Sequence, residues 1–135
     1  MQNHLPKSVR DREPLGYVDM PAEVAAELHP YILQVRGDCL APYVRDGDRI
    51  VISPVVELER GMIAAVFSHT GHTSLKRLAT VPPPKPWARC PGSMLEINQQ
   101  NPMRWYWVPL ETVEEVHAAI GVIRDGAYVA LEVQP

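Results

Sequence analysis

The chain is short of the features that mark secreted, membrane-spanning or nucleic-acid-binding proteins. Its 135 residues hold two cysteines, Cys39 and Cys90. Two thiols make no disulfide framework in a chain that is 46% hydrophobic, and reduced thiols belong to a reducing compartment. No apolar run approaches the roughly 20 residues that a membrane-crossing helix needs. The first residues, Met1-Gln2-Asn3-His4-Leu5-Pro6, lack the apolar centre of a signal peptide. A cytoplasmic protein with no membrane partner is therefore expected. Basic residues are outnumbered, 13 Lys and Arg against 16 Asp and Glu, for a net charge of -3. Nucleic-acid binders carry the opposite surplus, so no direct nucleic-acid binding is expected. The sequence shows no internal repeat, and its length allows one hydrophobic core rather than two.

Proline, by contrast, is abundant. The 14 prolines include Pro21, Pro30, Pro42, Pro54, Pro91, Pro102 and Pro109, and at that spacing they forbid long helices and punctuate short segments. Residues 1–16 are polar, of mixed charge and without periodicity, and read as a flexible arm ahead of a single domain over 17–135. One short helix fits between Pro21 and His29, stopped by Pro30. The remaining apolar segments read as strands: Tyr31–Val35, Arg49–Ile52, Met62–Phe67, Thr73–Leu78, Met94–Ile97, Trp105–Val108, His117–Ile123 and Tyr128–Leu131. His69-Thr70-Gly71-His72 and Asp125-Gly126 supply hairpin turns. Val81-Pro82-Pro83-Pro84-Lys85-Pro86 lacks ladder donors and reads as a stiff polyproline loop.

The chemistry concentrates in Val35-Arg36-Gly37-Asp38-Cys39-Leu40-Ala41-Pro42. A strand runs into a Gly-Asp turn and a nucleophile-type side chain follows at once. Glycine allows the sharp turn that presents this side chain at the strand end, and backbone N–H groups after the turn are free to face an oxyanion. A thiol there still needs a base. Lys76, between Leu75 and Arg77, lies on the strand face opposite Leu75. Burial among apolar neighbours disfavours a charged lysine and frees its amine to accept a proton; an exposed strand lysine is the plainer alternative.

The blocks Val-x-Gly-Asp-x-Leu-x-Pro, Asp46-Gly47-Asp48 with Ile50-Val51-Ile52, Gly61-Met62-Ile63-Ala64-Ala65-Val66, Leu75-Lys76-Arg77-Leu78 and Ile120-Gly121-Val122-Ile123-Arg124-Asp125-Gly126 follow in order over about residues 31 to 126. In this the chain resembles the C-terminal serine-lysine peptidase domain shared by LexA, phage repressors of the lambda CI type and UmuD. The resemblance implies a mainly β domain, a LexA/signal-peptidase-like folded sheet of short strands with a short N-terminal arm and at most one short helix. It also implies a homodimer with a protein partner, no cofactor, and a setting in bacterial or phage stress response such as the SOS response. The family's nucleophilic serine falls on Cys39 and its lysine base on Lys76.

This sequence departs from the family's pattern at three points. Cysteine stands at the nucleophile position; a thiol is the stronger nucleophile, and if Lys76 stays charged the two form an ion pair instead of an acid–base couple. The small-residue–Gly bond cut in self-cleaving members has no counterpart near Met1–Pro6, and the Xaa–Gly bond ahead of the nucleophile turn is Leu15–Gly16. Residues 1–30 are too few for a helix-turn-helix domain, so the layout is closer to UmuD. A regulatory domain without self-cleavage is expected, with an active Cys39/Lys76 peptidase as the alternative; a membrane signal peptidase would need an anchor. Three weaker signals remain. His69 and His72 lack a third metal ligand, so no metal site is expected. Asp46 and Asp48 read as turn chemistry. Trp87, Trp105, Tyr106 and Trp107 form an aromatic group, with Trp105 and Trp107 on one sheet face, either as hairpin packing or as a protein-binding patch.

Overall fold

In a computed structural model of the chain, residues 26–89 and 91–133 are described. The arm expected over 1–16, most of the helix expected after Pro21, and Cys90 lie outside them. Ala26, Glu27 and Leu28 are helical and precede Pro30.

Among the described residues eight antiparallel strands form one sheet: β1 (Tyr31–Gln34), β2 (Arg49–Ser53), β3 (Ile63–Ser68), β4 (Thr73–Leu78), β5 (Met94–Gln100), β6 (Met103–Pro109), β7 (Val113–Arg124) and β8 (Ala127–Ala130). The order across the sheet is β1-β2-β7-β3-β4-β5-β6, with β8 also paired to β7. The mainly β fold expected from the proline spacing is therefore the one observed.

The 12-residue β7 is the spine. Its second half pairs with β2 from Ala118 to Ile123, its first half pairs with β3 from Val113 to Ala118, and its end pairs with β8. Only the His117–Ile123 part is apolar enough to read as a strand. Val113–Val116 is interrupted by Glu114 and Glu115 and carries no strand pattern in its sequence. Glu115 is tolerated there because Lys85 of the proline loop pairs with it and His117 faces it, Nε2 to Oε2 at 3.5 Å. The His117 Nδ1 lies 2.7 Å from the Tyr31 hydroxyl, so an acceptor-to-donor chain runs Glu115–His117–Tyr31 into the core. Burial, reinforced by the Glu115 charge, keeps the Tyr31 phenol protonated far above its ordinary range.

The same contacts show that the proline loop is anchored. Lys85 lies over the Trp87 ring at 4.9 Å, and the Trp87 indole N–H donates to Pro83 O at 2.7 Å. A one-turn 3-10 helix, Trp87–Arg89, closes the loop.

Residues of β3 alternate between two cores. Ile63, Ala65 and Phe67 join Leu33, Leu40, Ile50, Ile52 and Val122 on one face. Ala64 and Val66 join Leu78, Trp87, Leu95, Ile97 and Val113 on the other. A strand covered on both faces is a continuous apolar run, which is what Met62–Phe67 is. The final hairpin turn has Asp125 at φ 50 and Gly126 at φ 77, the two positive angles that a two-residue hairpin turn requires. Among the described residues no helix is long and apolar enough to cross a membrane.

One ion pair ties the spine to the rest. Arg124, at the end of β7, donates to Asp48 Oδ2 at 2.8 Å and to Tyr43 O at 2.8 Å, while Asp48 Oδ2 also accepts the Arg45 N–H at 2.8 Å. Asp48 is thus more than a turn residue. Burial works against its ionisation, but the hydrogen bonds from Arg124 and Arg45 prevail and hold the carboxyl below its ordinary value. A carboxyl depressed by folding stabilises the protein above its unfolded value of about 4 and loses that contribution as pH falls through the folded value. Asp48→Asn is expected to cost about 1–3 kcal/mol near neutral pH, with the difference from wild type shrinking as pH falls below about 4. Chemical denaturation across that range checks it; a cost independent of pH contradicts it.

Candidate active site

The nucleophile turn is built from local backbone rules. Val35 donates to Asp48 O at 2.8 Å and accepts from Gly47 N at 2.9 Å, which fixes the end of β1. Gly37 then turns at φ 87, a left-handed angle that suits glycine. Its N–H is held by Asp46 Oδ1 at 2.7 Å, and Asp46 N in turn donates to Asp38 Oδ1 at 3.0 Å. A single tight turn follows, in which Leu40 O accepts from Tyr43 and Val44, with Leu40 and Val44 buried in the first core. Cys39 sits half-buried at the start of that turn.

A second clamp comes from far along the chain. Cys39 O accepts from Gln100 N at 2.7 Å and from Asn101 N at 3.0 Å. The Asn101 side-chain amide donates to Asp38 O at 3.2 Å and Ala41 O at 2.9 Å. The tip of the β5–β6 hairpin therefore grips the backbone on both sides of Cys39. The sequence reading missed Gln100 and Asn101, since Asn101-Pro102 reads only as turn punctuation. An asparagine with two donors at a loop tip was the one available signal.

Lys76, on β4 opposite Ala64, is brought to the same place. Its Nζ lies 3.8 Å from Cys39 Sγ and donates to Leu75 O at 3.3 Å. The ring of Tyr106, on β6, lies 5.8 Å away. A carbonyl oxygen and an aromatic face both favour an ammonium, so these contacts suit a cation facing the sulfur. Among the described residues the backbone N–H groups of Cys39 and Leu40 donate to no protein acceptor, which leaves them available to an oxyanion. The two candidate residues, 37 positions apart, are thus adjacent in space.

They line an open cleft of about 420 Å³ walled by Leu33, Gln34 and Arg36 on one side and Thr73, Ser74 and Leu75 on the other. Both walls are strand edges. Among the described residues β1 pairs only with β2, and β4 meets β5 only through Arg77 and Leu78. The hydrogen bond of Val35 with Asp48, two residues on from Leu33, shows that odd positions of β1 bond inward, so the backbone of Gln34 faces the cleft. On β4 the bond between Ser68 N and His72 O sets the even positions toward β3, leaving Thr73 and Leu75 facing the cleft.

His72 stands at the cleft rim and His69 on the hairpin beside it, both exposed. Among the described residues no group of three or more His, Cys, Asp and Glu side chains is placed to hold a metal. The aromatic group divides. Trp87 is buried in the second core, Tyr106 is half-buried beside Lys76, and Trp105 and Trp107 share the outer sheet face, 52% and 56% exposed.

The family model described as Peptidase S24-like matches residues 6–85, a span that includes the nucleophile turn and Lys76. The chain belongs to the Peptidase S24-like family. The match ends in the proline loop, ahead of β5. A comparison with curated proteins finds no match.

Lys76→Met is expected to slow iodoacetamide alkylation of Cys39 severalfold at neutral pH, since the cation facing the sulfur is lost. Peptide mapping by mass spectrometry separates Cys39 from Cys90, and an unchanged rate would show that Lys76 does not act on the thiol. Asn101→Ala removes two hydrogen bonds from the nucleophile turn and should cost about 1–2 kcal/mol, with faster amide exchange at residues 38–41. Protection equal to wild type would argue against the clamp.

Proposed function

We propose that this chain is a regulatory domain of the LexA/UmuD type, working as a homodimer through protein–protein contacts in a bacterial or phage stress-response setting. Its cleft takes an extended segment of another polypeptide past Cys39. The observation that supports this reading is the pair of strand edges that wall the cleft, unpaired among the described residues, with backbone groups of Gln34 on one side and of Thr73 and Leu75 on the other turned inward. An extended chain entering between such edges satisfies their hydrogen bonds as an added strand. Self-cleavage is not part of this reading. Ahead of the nucleophile turn the Xaa–Gly bond is Leu15–Gly16, with a bulky leucine where the family's cut bond has a small residue.

A second reading, an active Cys39/Lys76 peptidase, is favoured by the 3.8 Å approach of Nζ to Sγ and by the free N–H groups of Cys39 and Leu40. In that reaction the Cys39 thiolate adds to the carbonyl carbon, and the carbonyl electron pair moves to oxygen facing those N–H groups. Collapse breaks the C–N bond as the leaving amine takes a proton from the Lys76 ammonium. Water, deprotonated by the Lys76 amine, then hydrolyses the thioester and restores both groups.

Prolonged incubation of the chain over a series from neutral to alkaline pH, which spans the charged and neutral forms of lysine amines, separates the two. The first reading expects no new fragment on a gel. A fragment that is lost in both Cys39→Ala and Lys76→Ala would replace it with the second.

A further inference from the structure

The outer strand β6 carries a feature that the cleft does not use. Trp105 and Trp107 are 52% and 56% exposed, Met103 is 59% and Met94, on the neighbouring β5, is 44%. The register places all four on one face: Met103, Trp105 and Trp107 alternate along β6, and Met94 lies opposite Pro109. Large apolar side chains gathered on one exposed patch mark an interaction surface, and tryptophan contributes strongly where proteins meet.

Among the described residues the backbone of the same strand is unpaired on its outer edge, and the bonds around it show which residues point outward. Glu96 O accepts from Ala79 and Thr80, and Glu96 N donates to Thr80 Oγ1 at 3.2 Å. Glu96 therefore turns its backbone away from β6. Its register partner Trp107 must turn away from β5 as well, because in an antiparallel ladder opposite residues either both bond or both face away. The bond from Leu110 N to Ser93 O fixes the same parity at the end of the hairpin. Met103, Trp105 and Trp107 thus present their N–H and C=O groups outward, and no described residue bonds to them.

We infer that this edge is a homodimer seam, in which β6 pairs with β6 of a second copy about a two-fold axis at Trp105. This inference rests on the reading of the domain as one that works by self-association, and it names the surface and the register. An antiparallel two-fold makes a strand edge its own complement. Centred on Trp105, it pairs Trp105 with Trp105 and Met103 with Trp107 twice over, three pairs of two hydrogen bonds each. A centre at Trp107 would place Trp105 against Pro109, which has no N–H. A centre at Met103 would set Trp105 against the Asn101 tip, already committed to the Cys39 turn. At the Trp105 register the one charged residue of the strand, Arg104, lies across from Tyr106 of the second copy, so no like charges meet. Pairing also removes the liability of an open hydrophobic edge.

Size-exclusion chromatography with light scattering over a range of concentrations tests it with the full chain. Wild type should approach twice the monomer mass as concentration rises. Trp105→Lys and Trp105→Glu each place two like charges at the axis and should remain monomers, with circular dichroism unchanged because the side chain is exposed. Mixing the two variants sets lysine against glutamate and should restore a dimer. A monomeric wild type would overturn both the seam and the reading of a dimeric domain. A dimer that survives both variants would overturn this seam alone, leaving that reading in place. Loss of the dimer in each variant with no recovery on mixing would overturn the two-fold register.

Discussion

Twelve consecutive residues of β7 hold the molecule together. Hydrogen bonds leave both edges of that strand, to β2 on one side and to β3 and β8 on the other, and both hydrophobic clusters draw side chains from it. Its end carries Arg124, whose contacts with Asp48 and Tyr43 O hold the segment that follows the nucleophile turn. A defect in β7 would thus unseat the β1–β2 unit from the β3–β4 unit, and with it the meeting of Cys39 and Lys76, which come one from each.

That division explains the architecture of the cleft. The thiol stands on a turn that leaves β1, while the amine stands on β4, and neither strand pairs with the other. The gap between them exists because β1 is the last strand at its edge and β4 meets β5 through only two residues. What closes the base of the gap is the hairpin tip at Gln100 and Asn101, bonded to the Cys39 carbonyl. The site is therefore a junction of three parts of one sheet, each contributing one element: nucleophile, cation and clamp.

Much of this could be read from residues. Proline spacing and alternating apolar segments located all eight strands, and the Gly-Asp turn and the Leu-Lys-Arg-Leu block located the two side chains that the fold brings together. What escaped has physical reasons. Val113–Val116 hides its strand character behind Glu114 and Glu115; the Glu115 carboxylate is paired with Lys85, contributed by a loop whose composition marks it only as a spacer. Gln99 and Gln100 extend β5 beyond its apolar part because Gln99 bonds Pro102 O and the Tyr106 hydroxyl, partners that only the hairpin supplies. The four aromatic residues looked like one group because they are near in sequence, yet Trp87 enters a core while Trp105 and Trp107 face outward. Arg77, beside the candidate lysine, is buried with its guanidinium over the Tyr43 ring at 4.9 Å and bonded to Gly61 O; nothing in its local sequence distinguishes it from an exposed arginine.

The amide of Asn101 reaches Asp38 O across 63 residues of chain and Ala41 O across 60. Domains emerge from synthesis N-terminus first, and contacts between distant positions form last. While the chain is being made, Cys39 and Lys76 stand on separate units, β1–β2 and β3–β4, which only the later β7 joins, and the Cys39 carbonyl gains the partners seen here once the β5–β6 hairpin has been translated and folded. The finished geometry around the thiol therefore waits on residues some sixty positions further along the chain.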